Sequence, residues 1–319
     1  MSDAPLATAP RPPIDAAPEP LPGAVRLSDW GLIRARGEDA RGFLHGQLTQ
    51  DMLGLAPDAA RLAGYCSAKG RLLASFVVLA DGPQDLLLAC SADLLGAAMK
   101  RLSMFVLRAR CRLEDVSAQH ALWGVAGDAG LPGPWRRRDE SGLTMIGLPP
   151  ALIAGARVPR AMYLTAPDAA LPPMPPMPES IWRWLEVMSG VPRIVAATAE
   201  QFVPQMINLD LTDGVSFQKG CYPGQEVVAR SQYRGTLKRR GYALSSGSPA
   251  APGDEVFHSG DPGQPAGQVV LAASHGTSHA VFAELKIAAL AEGSLHLGGP
   301  GGPLLRPLPL PYAVPAEQA

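Results

Sequence analysis

Cys221 is a thiol set in a glycine loop, with Lys219 two residues before it and Glu226 five after it. A thiol, an ammonium and a carboxylate around a sharp turn can make a reactive nucleophile. The surrounding run, FQKGCYPGQEVVARSQYRGTLKRR, covers residues 217–240. Gly220 and Gly224 allow backbone angles closed to other residues, and Pro223 fixes its own. Residues 225–230 then resume a helical pattern, with Glu226 and Arg230 four apart. That places Cys221 just ahead of a helix N-terminus, a position that favours negative charge. Lys219 adds positive potential, and both effects raise the thiolate fraction. The competing reading is a strand-to-helix turn with a small buried thiol. Spacing alone does not separate the two.

Other elements must position this loop. Residues 1–23 are rich in Ala and Pro and read as a disordered tail. The segment VRLSDWGLIRARG predicts a strand with a turn at Ser28 and Asp29, followed by Trp30. In GEDARGFLHGQLTQDM, Asp39 can cap, and Phe43, Leu44, Leu48 and Met52 fall at helical spacing. RLAGYCSAKGRLLASFVVLADG predicts two strands about a turn at 68–70. A helix over 91–105 and a half-buried strand holding a buried Cys111 follow. Short strands separated by Pro/Gly turns fill 119–166. LPPMPPMP at 171–178 predicts a polyproline linker. ESIWRWLEVMSG then predicts a helix with Ile181, Trp184, Leu185 and Met188 on one stripe, stopped by Gly190.

The run KGCYPGQEVVAR, preceded by GVSFQ, resembles the signature of the YgfZ family. That family is part of a larger group of folate-binding proteins related to the glycine-cleavage T-protein, an aminomethyltransferase. The cysteine between Lys-Gly and Tyr resembles the YgfZ branch and not the T-protein branch. FLHGQLTQD and QFVPQMINL resemble two further family segments, and the closing PLPY resembles its C-terminal end. The likeness runs from about residue 25 to 312 and is weakest over 119–178. The family commonly carries an aspartate after the cysteine in its Cys-Asp-x-Lys-Gly turn. Ser67 stands there in this chain.

The resemblance implies an α+β, T-protein-like fold of antiparallel sheets and helices. The expected division is a folate-binding region over 24–240 in two subdomains, with a linker near 171–178. A C-terminal β-barrel over 241–312 and a tail over 313–319 complete it. The short strands and Gly/Pro turns after residue 241 fit a small antiparallel barrel independently.

It also implies tetrahydrofolate, or a derivative, as cofactor. Trp30 and Trp184 match the family's two folate-contacting tryptophans, and two indoles can flank a flat pterin. For each, core packing is the alternative. Asn208 and Asp210 are expected hydrogen-bond partners of the pterin, or else turn residues. Glu226 suits a guanidine-like edge, while Arg230, Arg234 and Lys238 suit the glutamate tail. Cys221 and Lys219 are the expected reactive pair, with Cys221 near the reactive end of a folate held between domains. The implied role is support of Fe–S enzymes or carriers, including enzymes that modify tRNA. The rival is folate-dependent aminomethyl or other one-carbon transfer. A third reading is direct tRNA binding through the basic run 230–240.

Composition limits these readings. The chain has 319 residues, 47% apolar and 18% charged, which fits a globular protein of two or three domains. Its formal net charge is −1, with 28 basic and 29 acidic residues, so any nucleic-acid footprint must be local. Four cysteines without a CxxC pair argue against a metal site and against a disulfide scaffold. No signal segment or membrane span is evident, and the expected setting is a reducing cytoplasm.

Overall fold

The computed structural model describes residues 22–127, 130–233 and 237–315. In chain order it opens with β1 (Gly23–Arg26), β2 (Trp30–Arg36) and the short helix α1 (Ala40–His45). Next come β3 (Ala60–Cys66), β4 (Leu72–Ala80), β5 (Leu86–Ser91), α2 (Ala92–Ser103) and β6 (Arg112–Asp115). The middle holds β7 (Ala121–Ala126), β8 (Arg137–Glu140), β9 (Leu143–Ile153), β10 (Ala156–Thr165) and α3 (Glu179–Ser189). After α4 (Gln225–Tyr233) the chain is almost all strand. These strands are β11 (Arg239–Ser246), β12 (Glu255–His258), β13 (Asp261–His275), β14 (Ser278–Lys286), β15 (Leu295–Leu297) and β16 (Leu304–Leu308).

The strands form three antiparallel sheets, so the α+β class stands. The first has the order β3-β4-β5-β2-β6, the second β1-β7-β10-β9-β8. The third closes as a six-stranded barrel, β11-β14-β13-β12-β15-β16. Closure leaves no edge for another chain to pair with. Helix α2 covers the first sheet with Leu94, Leu95, Ala98 and Leu102. Helix α3 packs on β9 of the second sheet and on β13 of the barrel. It is therefore buried nearly all round, from Ile181 to Ser189 except Arg183. Gly190 ends it in the left-handed region at φ 62°. Tyr312 from the PLPY end donates its hydroxyl to Gly190 O at 2.6 Å. A side chain on Gly190 would strike that ring.

Several local expectations change. The helix expected after Asp39 stops at His45, and Asp39 accepts the backbone N–H of Arg110 at 2.7 Å instead of capping it. The strand expected to hold Cys111 is only β6, which begins one residue after it, and Cys111 itself is half-buried. The polyproline segment is no free spacer. Ala24 N–H bonds Pro175 O at 3.0 Å and Met177 N–H bonds Ala24 O at 2.8 Å, which pins it to β1. Most of the Ala/Pro-rich tail lies outside the described residues. Among the described residues no helix is long and apolar enough to cross a membrane.

Candidate functional site

Two features of chemical interest are built, one at the thiol and one between the sheets and the barrel. The thiol loop rests on two motif segments. Thr49 binds it from below: its hydroxyl donates to Gly214 O at 2.6 Å, and its carbonyl accepts Ser216 N–H at 2.9 Å. Gln50 Nε2 donates to Asp213 O at 2.7 Å. Lys219 Nζ reaches back to the carbonyls of His45 and of Leu48, the latter at 2.9 Å, and lies 4.8 Å above the Tyr222 ring. Gly224 (φ 78°) and Gly70 (φ 73°) meet face to face. A Cβ on Gly224 would lie 2.6 Å from Gly70 Cα, and one on Gly70 would lie 2.8 Å from Val227 Cβ. Those close approaches, more than the turns themselves, require glycine.

Cys221 is the exposed member of the four cysteines, which settles the buried-thiol alternative. Burial pushes Cys66 and Cys90 up to about 12 and Cys111 up to about 11, so those thiols stay protonated at neutral pH. Burial also pushes Lys219 down to about 8, against the opposing pull of Asp51 and Cys221. His45 flanks the loop: a Cβ on Gly220 would lie 3.7 Å from its Nε2. Its Nδ1 is 2.9 Å from Asp51 Oδ1, at an angle too poor for a hydrogen bond.

The second feature is an aromatic slot. Trp30, Phe76, Trp135 and Trp182 line it, together with Arg160, Glu186 and Arg193. All three charged residues are buried. Trp182 reaches the slot because Gly124 of β7 has no side chain; a Cβ there would lie 2.4 Å from the indole. Two of the three indoles carry a guanidinium: Arg193 sits 5.0 Å from the Trp30 ring centre and Arg160 5.4 Å from that of Trp182. Arg193 Nη2 pairs with Asp29 Oδ2 at 2.9 Å and with Glu186 Oε2 at 3.3 Å. Burial raises the pKa of Glu186 and lowers that of Arg160 to about 10.

Glu186 and Arg193 are also on the wall of a neighbouring cleft. That cleft, about 610 Å³, lies between the turn before β2 (Asp29), the first turn of helix α2 (Asp93), helix α3 (Arg183) and the barrel with its β11–β12 loop (Leu271, Ala250). Its size is that of an organic-ligand site. The slot itself holds only about 30 Å³ of free space, so a ligand of pterin size has room in the cleft and not in the slot. Aromatic walls suit a flat heterocycle, and Trp30 Nε1 and Trp182 Nε1 are buried donors without acceptors.

Of the residues expected to bind ligand, Trp30 lines the slot and the others do not. Trp184 is packed in the core at 4% exposure; its neighbour Trp182 takes the place on the wall. Asn208 and Asp210, expected as pterin partners, tie the barrel to the rest of the chain. Asn208 Nδ2 donates to Gly241 O at 2.8 Å, and its Oδ1 accepts Gly241 N–H at 3.1 Å. Asp210 and Arg240, both buried, pair at 2.7 Å. Glu226 and Arg230 pair with each other at 2.8 Å on the exposed face of α4. Arg239 pairs with Glu284 at 2.7 Å, so much of the basic run is already neutralised. Lys238 is exposed, and Arg234 lies outside the described residues. Cys221 and Lys219 are not among the residues lining the slot. The residues missed by sequence are Trp182, Glu186, Arg160 and Arg193. Among the described residues no cluster of His, Cys, Asp and Glu is arranged to hold a metal ion.

No family model matches the chain. The tRNA-modifying protein YgfZ of Sodalis glossinidius is 31% identical over 331 residues, covering 96% of this chain and 97% of that protein. The protein of the same name from Edwardsiella ictaluri is 33% identical, covering 82% and 83%. The crystal structure of the glycine cleavage system aminomethyltransferase T from Bartonella henselae superposes with a TM-score of 0.66. It is 14% identical and covers 91% of this chain and 86% of that one, so it speaks for the fold alone. With the thiol loop seated on the segments that carry the sequence likeness, the chain belongs to the YgfZ family, built on the fold of the T-protein.

Proposed function

We propose that this chain binds a reduced folate and uses Cys221 to support Fe–S enzymes, among them enzymes that modify tRNA. The observation that carries the folate half is the Trp30–Trp182 slot opening on a cleft of ligand size. The ligand lies in the cleft beside the Trp30–Trp182 slot, and Arg183 at the cleft wall suits the anionic end of the molecule. The bound folate supplies one-carbon chemistry; the chain's residues orient it and exclude water. The tRNA half rests on the curated relatives, which carry the name tRNA-modifying protein. The Fe–S link rests on the family resemblance. The exposed thiol, held on a rigid loop apart from the slot, is what a client protein can reach.

The test is titration with tetrahydrofolate, followed by tryptophan fluorescence, in wild type and Cys221→Ser. Saturable quenching in both is expected, with loss of tRNA modification in cells that carry only the serine variant. A fully active serine variant removes the thiol from the mechanism.

Folate-dependent aminomethyl transfer is the second reading, favoured by Glu186. Such transfer needs a carboxylate on the pocket wall to handle protons, and Glu186 is one. Turnover of an aminomethyl donor that disappears in Glu186→Gln would select it.

A further inference from the structure

Six large apolar side chains stand exposed among the described residues, and three of them, Met104, Phe105 and Leu107, lie together just past the end of helix α2. They are 66%, 42% and 86% exposed. Leu107 is out of place twice over. Its backbone is in the left-handed region at φ 44°, which leucine rarely takes and asparagine tolerates. Its side chain packs on almost nothing in the chain, so no internal contact offsets that strain. Neither backbone nor core asks for leucine here, and a residue that breaks a local rule without an internal gain points to a role outside the fold. The charge around it is one-sided. Residues 100–110, KRLSMFVLRAR, hold Lys100, Arg101, Arg108 and Arg110 and no acid. Arg110 is taken by Glu38 and Asp39. Lys100, Arg101 and Arg108 are exposed, and among the described residues no carboxylate pairs with them. The chain as a whole is at −1, so this excess is local.

We propose that the turn at 103–108 is a docking site for an anionic lipid surface, with Met104, Phe105 and Leu107 entering the headgroup layer and Lys100, Arg101 and Arg108 meeting lipid phosphates. Apolar side chains ringed by lysine and arginine are what interfacial binding requires. The shape favours a lipid surface over a peptide. The three side chains stand out from a turn, and of them Met104 alone lines a groove, beside Leu94 and Ala98. The backbone suits a layer poor in water. Met104 N–H bonds Arg101 O at 3.2 Å, Phe105 N–H bonds Leu102 O at 3.0 Å, and Ala109 N–H bonds Val106 O at 2.8 Å. These donors are satisfied within the turn and lose nothing when water leaves. Asp39 clamps the far end by accepting Arg110 N–H at 2.7 Å, which holds the turn in place. None of these residues lines the slot or the cleft, so the inference stands apart from the folate reading.

The test is co-sedimentation of the full chain with extruded vesicles, either pure phosphatidylcholine or with about one third phosphatidylglycerol. Wild type is expected to sediment with the anionic vesicles, to release them as salt rises, and to bind the neutral ones about tenfold more weakly. Leu107→Asn should bind anionic vesicles about tenfold more weakly than wild type. Its melting temperature should equal or exceed that of wild type, because asparagine suits the backbone there. Arg108→Gln should bind about fivefold more weakly. Wild type that stays in the supernatant with anionic vesicles overturns the proposal, as does equal binding to both vesicle types. A folded Leu107→Asn that binds like wild type overturns it too. Should Leu107→Asn fail to fold, Phe105→Ser decides by the same two measures. Two other occupants have outcomes of their own. Self-association in sedimentation equilibrium that Leu107→Asn abolishes, without vesicle binding, gives the face to a second copy of the chain. A gel shift of bulk tRNA that Arg108→Gln abolishes, again without vesicle binding, gives it to RNA. Either result overturns the lipid surface as its partner.

Discussion

Asn208→Ala should be among the most damaging single changes in the chain, and for structural reasons alone. Asn208 sits in the left-handed region at φ 62°, where asparagine is tolerated and alanine costs about 1–2 kcal/mol. Its amide does the work of a neighbouring strand for β11, taking Gly241 N–H and giving to Gly241 O. Both backbone groups are buried, and each orphaned group costs about 1–3 kcal/mol. The Tyr312 hydroxyl also loses a donor at 3.2 Å but keeps its bond to Gly190 O. The sum is about 3–8 kcal/mol. At a slope of about 3 kcal/mol per molar urea, the midpoint should fall by more than about 1 M. The assay is urea unfolding, paired with folate titration of the native variant, whose affinity should not change. A midpoint within about 0.3 M of wild type, with folate affinity down tenfold, would refute the structural account and return Asn208 to the ligand.

Gly124→Ala forces a methyl into the Trp182 ring and should cost about 1–3 kcal/mol, with weakened folate binding as the indole is displaced. Thermal melting and the fluorescence titration check it; an unchanged titration would mean that Trp182 does not shape the slot. Lys219 gives a pH prediction. Its folded pKa, about 8, lies below the ordinary 10.5, so between these values the unfolded chain holds the proton and the folded chain does not. Stability from this group therefore rises with pH across that window. The melting-temperature gap between wild type and Lys219→Met should be level below pH 8 and widen in favour of wild type up to pH 10.5. A level gap throughout would show that burial does not set the lysine's protonation.

What the sequence made legible was local. The turn at 68–70, the Glu226–Arg230 pairing and the stop at Gly190 follow from spacing and from glycine, and each is where spacing puts it. The choice of tryptophan shows where such reasoning ends. Helical period groups Trp184 with Ile181, Leu185 and Met188, the stripe that a half-buried helix turns inward. Helix α3 is not half-buried. It is clamped between the second sheet and the barrel, so its off-stripe residues are buried as well. Trp182 and Glu186, four apart, share a face that periodicity assigns to solvent and tertiary packing turns into the wall of the slot. A signal was present: an acidic residue between two apolar neighbours, one turn after a tryptophan. Its meaning required Arg160 and Arg193, from a strand and a loop that composition does not link to it. The basic run 230–240 erred the other way. It looked free because its partners, Asp210 and Glu284, are brought to it only when β11 enters the barrel. Charge that pairs across distant segments is invisible in sequence, and in this chain such charge both closes the barrel onto the core and lines the aromatic slot.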